Sequence, residues 1–497
     1  MLNPVSCAAF YNVTGFFCSW QSQVRGNRGK ILSLCVVGLS AAGRLRRREH
    51  SRECLTYWCK RTMSVEIELK FIVSPAAIAS LPERIAAWPN QHSAPQKLTN
   101  IYYETADNFL RNHDMGLRIR GFDDSYEMTI KTAGSVVGGL HQRPEYNVAI
   151  AKPALALKKF PADIWPEGCK LAPLQKALQP LFRTDFVREK WVVTYGASEI
   201  EIGLDQGEVR AGELAEPLCE LELELKSGET ADLLALATAL AEQGGLRQGS
   251  LSKAARGYHL AQGNAERELR PLSVLKPAPK STVEQGMVAA FELALSHWQY
   301  HEELWLRGDK QARRAVMEAI GLIRQALVIF GGLVPRKAST DLRARLTALE
   351  PLLVDKTTQP QELCYGTEYL QCKLALTSWL ITGAWRPFID AKSQAKLDGS
   401  FKRFSDIMLG RSASELKEAF TRTLNEDEYQ EQLPRLTRQV LAFILLSGAY
   451  PDSETGPYID SWRELQSAIA ERRQGWYEAS RKQALSHAPF WLNGAVR

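Results

Sequence analysis

The sequence lacks several features that would assign it to a common class. No apolar run is long enough to cross a bilayer as a helix, since the best candidate, residues 31–42, is short and is interrupted by Gly38. We find no Walker loop, no GxGxxG after a strand and no HExxH, so the usual nucleotide-binding and zinc-protease signatures are absent. We therefore expect no membrane partner.

Cysteine is scarce outside the start of the chain. Five of the nine cysteines lie in the first 62 residues: Cys7, Cys18, Cys35, Cys54 and Cys59. The other four have no paired spacing, so the sequence predicts neither a disulfide framework nor a zinc site. We expect a reducing, cytoplasmic location.

Positive charge is concentrated at the start of the chain as well. The formal net charge is +6, yet residues 1–62 alone hold ten Lys or Arg and two Asp or Glu, a net charge of +8. The rest of the chain carries 52 basic and 54 acidic residues, a net charge of −2. This balance argues against nonspecific nucleic-acid binding, so an anion site has to be a local concentration of cations.

Residues 1–62 lack hydrophobic periodicity, whereas strict alternation begins at Val65-Glu-Ile-Glu-Leu-Lys-Phe71. One interpretation of residues 1–62 is a targeting or basic arm. The other is a non-native or disordered extension that follows from an upstream start codon, with Met63 the true first residue. A signal peptide fits poorly because the apolar region is late and no clear cleavage site follows it. We favour the start-codon interpretation.

The remaining chain divides by its periodicity. Residues 63–264 are mostly short alternating strands, with helices predicted over 231–243 and 251–261. Residues 265–281 contain Pro271, Pro277 and Pro279 and are predicted to be a linker. Residues 282–497 follow a 3.6-residue period, which predicts an all-α bundle. Its predicted helices cover residues 283–297, 311–330, 342–354, 363–380, 433–446 and 462–470. Glycines predicted to form turns between the strands are Gly116, Gly134, Gly138, Gly139, Gly207 and Gly212.

Charged residues share one face of these strands. Glu66, Glu68 and Lys70 alternate with apolar neighbours, and residues 219–226 repeat the pattern. One such strand would suggest a solvated outer face, but five strands share this charged pattern, and neighbouring glutamates on one strand face repel each other unless a cation is shared. A closed barrel with charges lining its lumen explains the pattern. Carboxylates there would bind a divalent metal, and Arg and Lys would bind phosphate.

The order of these motifs resembles the CYTH family, also called triphosphate tunnel metalloenzymes. Glu66-Ile-Glu-Leu-Lys70 matches ExExK, Leu117-Arg-Ile-Arg120 matches LRxR, and Arg143-Pro-Glu145 matches RxE. Further matches are Tyr102-Tyr-Glu-Thr105, Thr129-Ile-Lys131, Leu204-Asp205, Glu220-Leu-Glu222 and Ser252-Lys253. The resemblance covers about residues 63–264. It implies a closed antiparallel barrel of eight strands around a tunnel for an anionic substrate.

The resemblance also implies roles for individual residues. Lys70, Glu66 and Glu68 are the expected catalytic residues. The expected metal ligands, for Mg²⁺ or Mn²⁺, are Glu66, Glu68, Asp205, Glu220, Glu222 and Glu224. The expected substrate-binding cations are Lys70, Arg118, Arg120, Lys131, Arg143, Arg183, Lys190, Lys253 and Arg256, with Arg188 as a further candidate. Lys70 or one of the acids would position the attacking water.

The helical half resembles a CHAD domain, so the fold class is α+β multidomain: a CYTH barrel followed by a helical bundle. This order is similar to bacterial inorganic triphosphatases and implies hydrolysis of tripolyphosphate to pyrophosphate and phosphate. The alternatives are a polyphosphate-binding or localising protein with a vestigial tunnel, a thiamine triphosphatase and a class IV adenylyl cyclase.

The helical half departs from the CHAD pattern in its charge. The helix that matches the basic HxxRVxxRRLR pattern keeps only Arg324, and residues 282–497 hold 27 basic and 26 acidic residues. That departure weakens the expectation that this half contacts polyphosphate. His297 and His301 have the spacing of metal ligands, although such a pair more often has a structural role. The tryptophans expected in the core are Trp305, Trp379 and Trp385.

Overall fold

The computed structural model describes residues 62–123, 125–355 and 357–492. The interpretations of residues 1–61, the basic arm and the upstream start codon, lie outside the described residues. Within the described part the strands come first and the long helices follow, as the change in sequence period predicts.

Within the described residues, ten strands form one antiparallel sheet. They are β1 (Thr62–Val73), β2 (Asn90–Glu104), β3 (Gly116–Phe122), β4 (Ser125–Lys131), β5 (Ser135–Val137), β6 (Leu140–Ile150), β7 (Gln179–Tyr195), β8 (Ser198–Ala211), β9 (Leu214–Ser227) and β10 (Leu246–Gln248). The order β1-β9-β8-β7-β2-β3-β4-β6 returns to β1, which closes a barrel of eight strands. β5 pairs with β6, and β10 pairs with the end of β1. The predicted closed eight-stranded barrel is confirmed.

The barrel is apolar on the outside and polar within. Leu69 and Phe71 of β1 are fully buried with Leu221 and Leu223 of β9, in a cluster that also contains the apolar residues of the helix Thr230–Leu240. Burying these residues fully contributes about 1.5–3 kcal/mol for each large side chain. Because side chains alternate along a strand, packing one face against helices leaves the charged face toward the lumen.

The α-helices described beside the barrel strands are α1 (Pro75–Ile78), α2 (Leu81–Ile85), α3 (Phe109–Asn112), α4 (Leu171–Ala177), α5 (Thr230–Leu240) and α6 (Lys253–Ala261). The predicted helix over 231–243 is α5 with a 3-10 turn, Ala241–Gln243, which ends at Gly244 with φ +67°. α6 begins after Ser252, whose hydroxyl accepts a hydrogen bond from the Ala255 amide at 3.1 Å. That cap explains why α6 begins later than the predicted residue 251.

In the described part of the second half, the α-helices are α7 (Val283–Leu306), α8 (Ala312–Ile329), α9 (Thr340–Val354), α10 (Pro360–Cys364), α11 (Thr367–Thr382), α12 (Ala391–Leu397), α13 (Phe401–Phe420), α14 (Glu426–Leu446), α15 (Asp452–Ala470) and α16 (Tyr477–Ser486). All six predicted helical regions are helical. The region predicted as one helix over 363–380 is two helices, because the chain is extended at Gly366 (φ −74°, ψ 152°).

Among the described helices of the second half, α12, α13 and α16 were not predicted from the sequence, and α13 is the longest of them. Its buried positions include small residues, Ser405, Ser412 and Ala419, beside Leu409 and Leu416. Small polar residues on the packed face weaken the contrast on which periodicity depends.

The segment between the two halves has no helix or strand up to Thr282, yet it is packed. Leu272 and Leu275 are buried in the core of the helical half, and the Leu275 amide donates to the Ile444 carbonyl at 2.9 Å. On the other side, Leu370 and Leu374 of α11 join the apolar cluster of the barrel. The two halves therefore share buried contacts.

The three tryptophans and the histidine pair noted in the sequence all make contacts within the protein. Trp305, Trp379 and Trp385 lie in the helical core, as expected. His301 accepts a hydrogen bond from the Arg270 amide at 3.1 Å, and its ring centroid lies 4.1 Å from that of His297.

One helix among the described residues, Ala312–Gly332, is long and apolar enough to span a membrane by length and composition. The prediction from the sequence that no run is long enough to cross a bilayer is therefore wrong, by length and composition, for this helix. Its buried residues, among them Val316, Ile320, Leu322 and Ile323, belong to the helical core. Core packing thus accounts for its apolar composition.

Gly207 lies inside β8 and not in a turn, which corrects the sequence prediction. A Cβ at this position would lie 2.1 Å from the Asp185 carbonyl oxygen and 2.5 Å from the Phe186 Cα. Backbone atoms of β7 cannot move aside as a side chain can. We expect Gly207→Ala to lower the free energy of unfolding by about 1–3 kcal/mol, as overpacking does. Urea denaturation followed by circular dichroism measures this loss.

The matched control is Gly116→Ala on β3, where nothing lies within 4 Å of the added Cβ. Its midpoint of unfolding should stay close to that of the unaltered protein. Equal losses in the two variants would contradict the close approach of β7 and β8.

Candidate active site in the barrel

The lumen of the barrel contains a cavity of about 260 Å³ with charged walls. The pairing of β1 with its neighbours sets Glu66 opposite Arg143 and Lys70 opposite Glu222. Eleven of the residues expected from the sequence line this cavity: Glu66, Glu68, Lys70, Arg118, Arg120, Lys131, Arg143, Arg188, Glu222, Glu224 and Lys253. Acids and bases from six strands and from α6 therefore meet in one space.

Four other expected residues lie close to the lining without forming part of it. Asp205 and Glu220 are fully buried, and Lys253 Nζ lies 2.8 Å and 2.9 Å from their carboxylates. Arg256 pairs with Glu220 at 2.8 Å. Lys190, with 39% of its side chain exposed, lies 3.4 Å from Glu201.

Arg183 is not brought to the cavity. Its side chain is 55% exposed and pairs with Asp185 at 2.8 Å. The pairing of β7 with β8 is unbroken between Arg183 and Arg188. Because an odd number of steps separates the two arginines, alternation places them on opposite faces of the strand. Arg183 was expected to bind substrate, but its side chain lies on the outer face of the barrel, away from the cavity.

Lys131 and Lys70 each bridge acidic residues on the β1 side of the cavity. Lys131 Nζ contacts the Glu66 carboxylate and lies 3.5 Å from Glu145. Lys70 Nζ contacts the Glu222 carboxylate and lies 3.0 Å from Glu68. Each lysine offsets the repulsion between carboxylates that the strand pairing brings together.

The three carboxylates near Lys131 differ in their proton affinity. Burial raises the pKa of Glu66 to about 7, against the attraction of Lys131 and with a contribution from Glu68. Burial acts in the same sense on Glu68, but Lys70 and Lys131 outweigh it and bring its pKa to about 2. Burial is likewise outweighed at Glu145, where Lys131 and Arg118 bring the pKa to about 2. Of the three carboxylates, Glu66 is therefore the one that holds a proton most strongly, chiefly because it is buried.

A second ion cluster lies where α6 meets the barrel. Lys253 Nζ contacts Glu222 at 2.7 Å in addition to Asp205 and Glu220. Arg188 makes two hydrogen bonds of 2.6 Å to Asp205 and one of 2.6 Å to Glu222. Burial disfavours the charged lysine, but these three acids outweigh it and raise the pKa of Lys253. Asp205 and Glu220 thus hold the cations of the cavity wall in place.

Two arginines of the lining have a different environment. Arg120 Nε donates to Asn100 Oδ1 at 2.9 Å, and Arg143 Nε donates to the Thr132 carbonyl at 3.2 Å. In the described part of the chain neither pairs with a carboxylate, whereas Arg118 lies 3.6 Å from Glu145. Burial, with the like charge of Arg118, lowers the pKa of Arg120 to about 10. An anion in the cavity would offset this unpaired positive charge.

The donor chemistry of the lining fits a hard divalent cation, because Glu66, Glu68 and Glu145 offer carboxylate oxygens to the same cavity. Among residues 62–123, 125–355 and 357–492 no three His, Cys, Asp or Glu side chains converge as a ready-made metal site. Ammonium and guanidinium groups contact these oxygens instead. Metal binding at this place therefore requires the ion pairs of Lys131 to open.

Several lining residues were not proposed from the sequence: Tyr102, Glu127, His141, Glu145, Asn147, Glu201 and Lys226. Glu145 was quoted within the RxE match, and Tyr102 within the match Tyr102-Tyr-Glu-Thr105, both without a role. The signal for Glu145 is the alternation with Arg143 on β6, which puts both on the inner face.

The fold and the site define a tunnel-type barrel joined to a helical domain. Residues 64–258 match the family model of the CYTH domain, and residues 289–483 match that of the CHAD domain. The chain therefore carries a region that matches the CYTH model, followed by a region that matches the CHAD model.

A curated relative is the inorganic triphosphatase of Haemophilus influenzae, which is 41% identical over 202 residues. The match covers 40% of this chain and 55% of the relative, so the chain spans about half the length of that protein.

Similar solved structures include a putative adenylyl cyclase from Hippeastrum, described as having a dominant triphosphatase activity (20% identity, TM-score 0.31, 39% of this chain and 95% of that one). Another is the CHAD domain from the plant Ricinus communis (14% identity, TM-score 0.33, 46% of this chain and 91% of that one).

Removal of Lys253 tests the second ion cluster. We expect Lys253→Met to lower the free energy of unfolding by about 3–5 kcal/mol, because buried carboxylates lose a shared cation. Equilibrium urea unfolding measures the loss. Lys190→Met is the control: this lysine is partly exposed and makes a 3.4 Å contact, so it should cost less than about 1 kcal/mol. Similar losses in both variants would show that the cluster adds little to stability.

Proposed function

We propose that this protein hydrolyses inorganic tripolyphosphate to pyrophosphate and phosphate in the barrel cavity, with Mg²⁺ or Mn²⁺. The observation that carries the proposal is the pair of lining arginines, Arg120 and Arg143, that have no carboxylate partner within the described residues. They share a cavity with acids suited to a metal. Positive groups for phosphate beside acids for a metal are what phosphoryl transfer requires.

The arginines bind the substrate in this proposal. Arg118, Arg120 and Arg143 come from β3 and β6 and can each donate two hydrogen bonds to phosphate oxygens. Lys131 lies beside them and contributes a further positive charge. Since the positions come from strands of a closed barrel, the backbone fixes where these cations lie, which favours an ordered substrate chain.

The residues that would hold the metal are Glu66, Glu68, Glu222 and Glu224, together with Glu145. When bound, the metal supplies electrophilic assistance to the phosphoryl group. Asp205 and Glu220, expected from the resemblance to be ligands, instead hold Lys253, Arg188 and Arg256 through ion pairs.

The reaction joins a water oxygen to the terminal phosphorus and breaks that atom's bond to the bridging oxygen. The bridging oxygen leaves with pyrophosphate, and the charge that develops on it is stabilised by the surrounding cations. Lys70, buried between Glu68 and Glu222, or one of these acids orients the water.

The similarity to the Haemophilus influenzae inorganic triphosphatase supports an inorganic substrate. A polyphosphate-binding protein with a vestigial tunnel is the alternative from another class. The acids along the cavity favour the enzyme, because carboxylates that face a bound anion repel it unless a divalent cation lies between them.

A substrate panel tests the proposed activity. Phosphate release from tripolyphosphate should exceed that from pyrophosphate, ATP and thiamine triphosphate, and it should need Mg²⁺ or Mn²⁺ and stop with EDTA. Pyrophosphate is one phosphoryl unit shorter and leaves cations of the cavity unpaired, which weakens its binding. Tight binding of tripolyphosphate without release would favour the binding protein. Comparable cyclic AMP formation or thiamine triphosphate hydrolysis would favour the other enzymes.

A matched pair of arginine variants tests the site. We expect Arg118→Ala to remove about 2–5 kcal/mol of transition-state stabilisation. This loss lowers kcat/KM for tripolyphosphate by roughly 30-fold or more. Arg183→Ala removes an arginine from the outer face of the barrel and should leave kcat/KM within about twofold of the unaltered protein. If the two variants lose activity equally, substrate does not bind in the lumen.

A further inference from the structure

The backbone of Lys70 is fixed at both of its polar atoms by segments outside the barrel's eight strands. Its amide donates to the Gly139 carbonyl at 3.3 Å, and its carbonyl accepts from the Gly249 amide at 2.8 Å. Gly139 belongs to the turn between β5 and β6, and Gly249 follows β10. The position of Lys70 in the cavity therefore depends on where this turn and β10 lie.

The helical domain contacts both of these segments. Gln248 of β10 is 1% exposed, and its Nε2 donates to the Gly138 carbonyl and, at 3.0 Å, to Thr377 Oγ1 on α11. The Thr377 hydroxyl in turn donates to the Lys373 carbonyl at 2.9 Å. Thr377 is fully buried, so no water replaces these hydrogen bonds.

The turn is also pressed against the helices. Gly138 has φ +58°, and a Cβ there would lie 2.0 Å from Thr377 Oγ1 and 2.8 Å from Leu295 Cδ2 of α7. Both the backbone conformation and the lack of space demand glycine at this position. The turn that supports Lys70 therefore has close packing with α7 and α11.

Buried charges hold β10 against the same helices. Arg247, next to Gln248, lies 3.4 Å from Glu302 and 2.9 Å from Glu303, both on α7. Lys373 of α11 lies 2.6 Å from Glu302, and the side chains of both are fully buried. These pairs join α7, α11 and β10, so a shift of the helices would be transmitted to β10.

We propose that the helical domain positions Lys70 for the reaction, and that Thr377 is the residue through which it does so. The effect on activity rests on the proposed function. Thr377 does not touch the cavity; it holds Gln248, which holds the turn beside the Lys70 amide. Small displacements of a reacting group are costly, since a misplacement of about 1 Å reduces rates by about 100-fold.

The test compares Thr377→Val, which keeps the shape and loses the hydroxyl, with Thr377→Ser, which keeps the hydroxyl. We expect kcat for tripolyphosphate to fall by roughly tenfold in Thr377→Val with KM nearly unchanged, and to recover in Thr377→Ser. Thr382→Val on the same helix is the control, because the Thr382 hydroxyl is exposed and donates to the Ser378 carbonyl. Circular dichroism checks that each variant is folded at the assay temperature.

Hydrogen exchange measured by mass spectrometry supplies a second reading that does not depend on activity. Thr377→Val should speed exchange in the peptides that contain Lys70 and Gly139, and Thr382→Val should not. Unchanged exchange together with unchanged kcat would overturn the proposal. A protein that releases no phosphate from tripolyphosphate refutes the proposed function alone, because faster exchange at Lys70 would still support the positioning by Thr377.

Discussion

The attraction between opposite charges inside the barrel is the interaction on which the structure depends. A buried charge without a partner costs several kcal/mol, so a lumen lined with acids alone or bases alone would oppose folding. Lys253 lies among three carboxylates, and Lys70 and Lys131 each lie between two. The ion pairs that offset the cost of burying these charges involve the same groups that a phosphate chain and a metal would contact. When a phosphate chain and a metal bind, ion pairs between side chains have to be replaced by ion pairs with the phosphate and the metal.

Period-two alternation explains how much of the site the sequence could predict. It fixes the face to which a residue belongs, so the inward placement of Glu66, Arg118 and Glu222 followed from their neighbours alone. It does not predict whether an inward-facing side chain reaches the cavity or is covered by α6. Asp205 and Glu220 therefore have the expected face but lie buried under ion pairs with Lys253. Arg183 was assigned to the substrate site by resemblance, although it lies five residues from Arg188 on the same strand. That odd spacing places the two side chains on opposite faces, as the structure has them.

No comparable sequence pattern predicted the contacts between the barrel and the helical half. Strong apolar periodicity predicted the regions of α8 and α14, whereas α13 packs through serine and alanine and was missed. Gln248 and Thr377 are uncharged residues in unremarkable sequence, and their importance comes from a hydrogen bond between positions 129 residues apart. Such pairings depend on how two domains dock, and docking is decided by shape and by buried polar partners that no local pattern specifies.

The closure of the barrel also has a consequence for biosynthesis. β1 completes the ring by pairing with β9, and the contacting side chains of Lys70 and Glu222 are separated by 152 residues. At about 5–20 residues per second, the ribosome needs roughly 8–30 s to supply the second of these partners after the first. During that interval one edge of β1 has no strand beside it, and open strand edges pair readily with other chains. Slow translation or crowded expression should therefore reduce the yield of folded protein through aggregation of nascent chains, even when the finished barrel is stable.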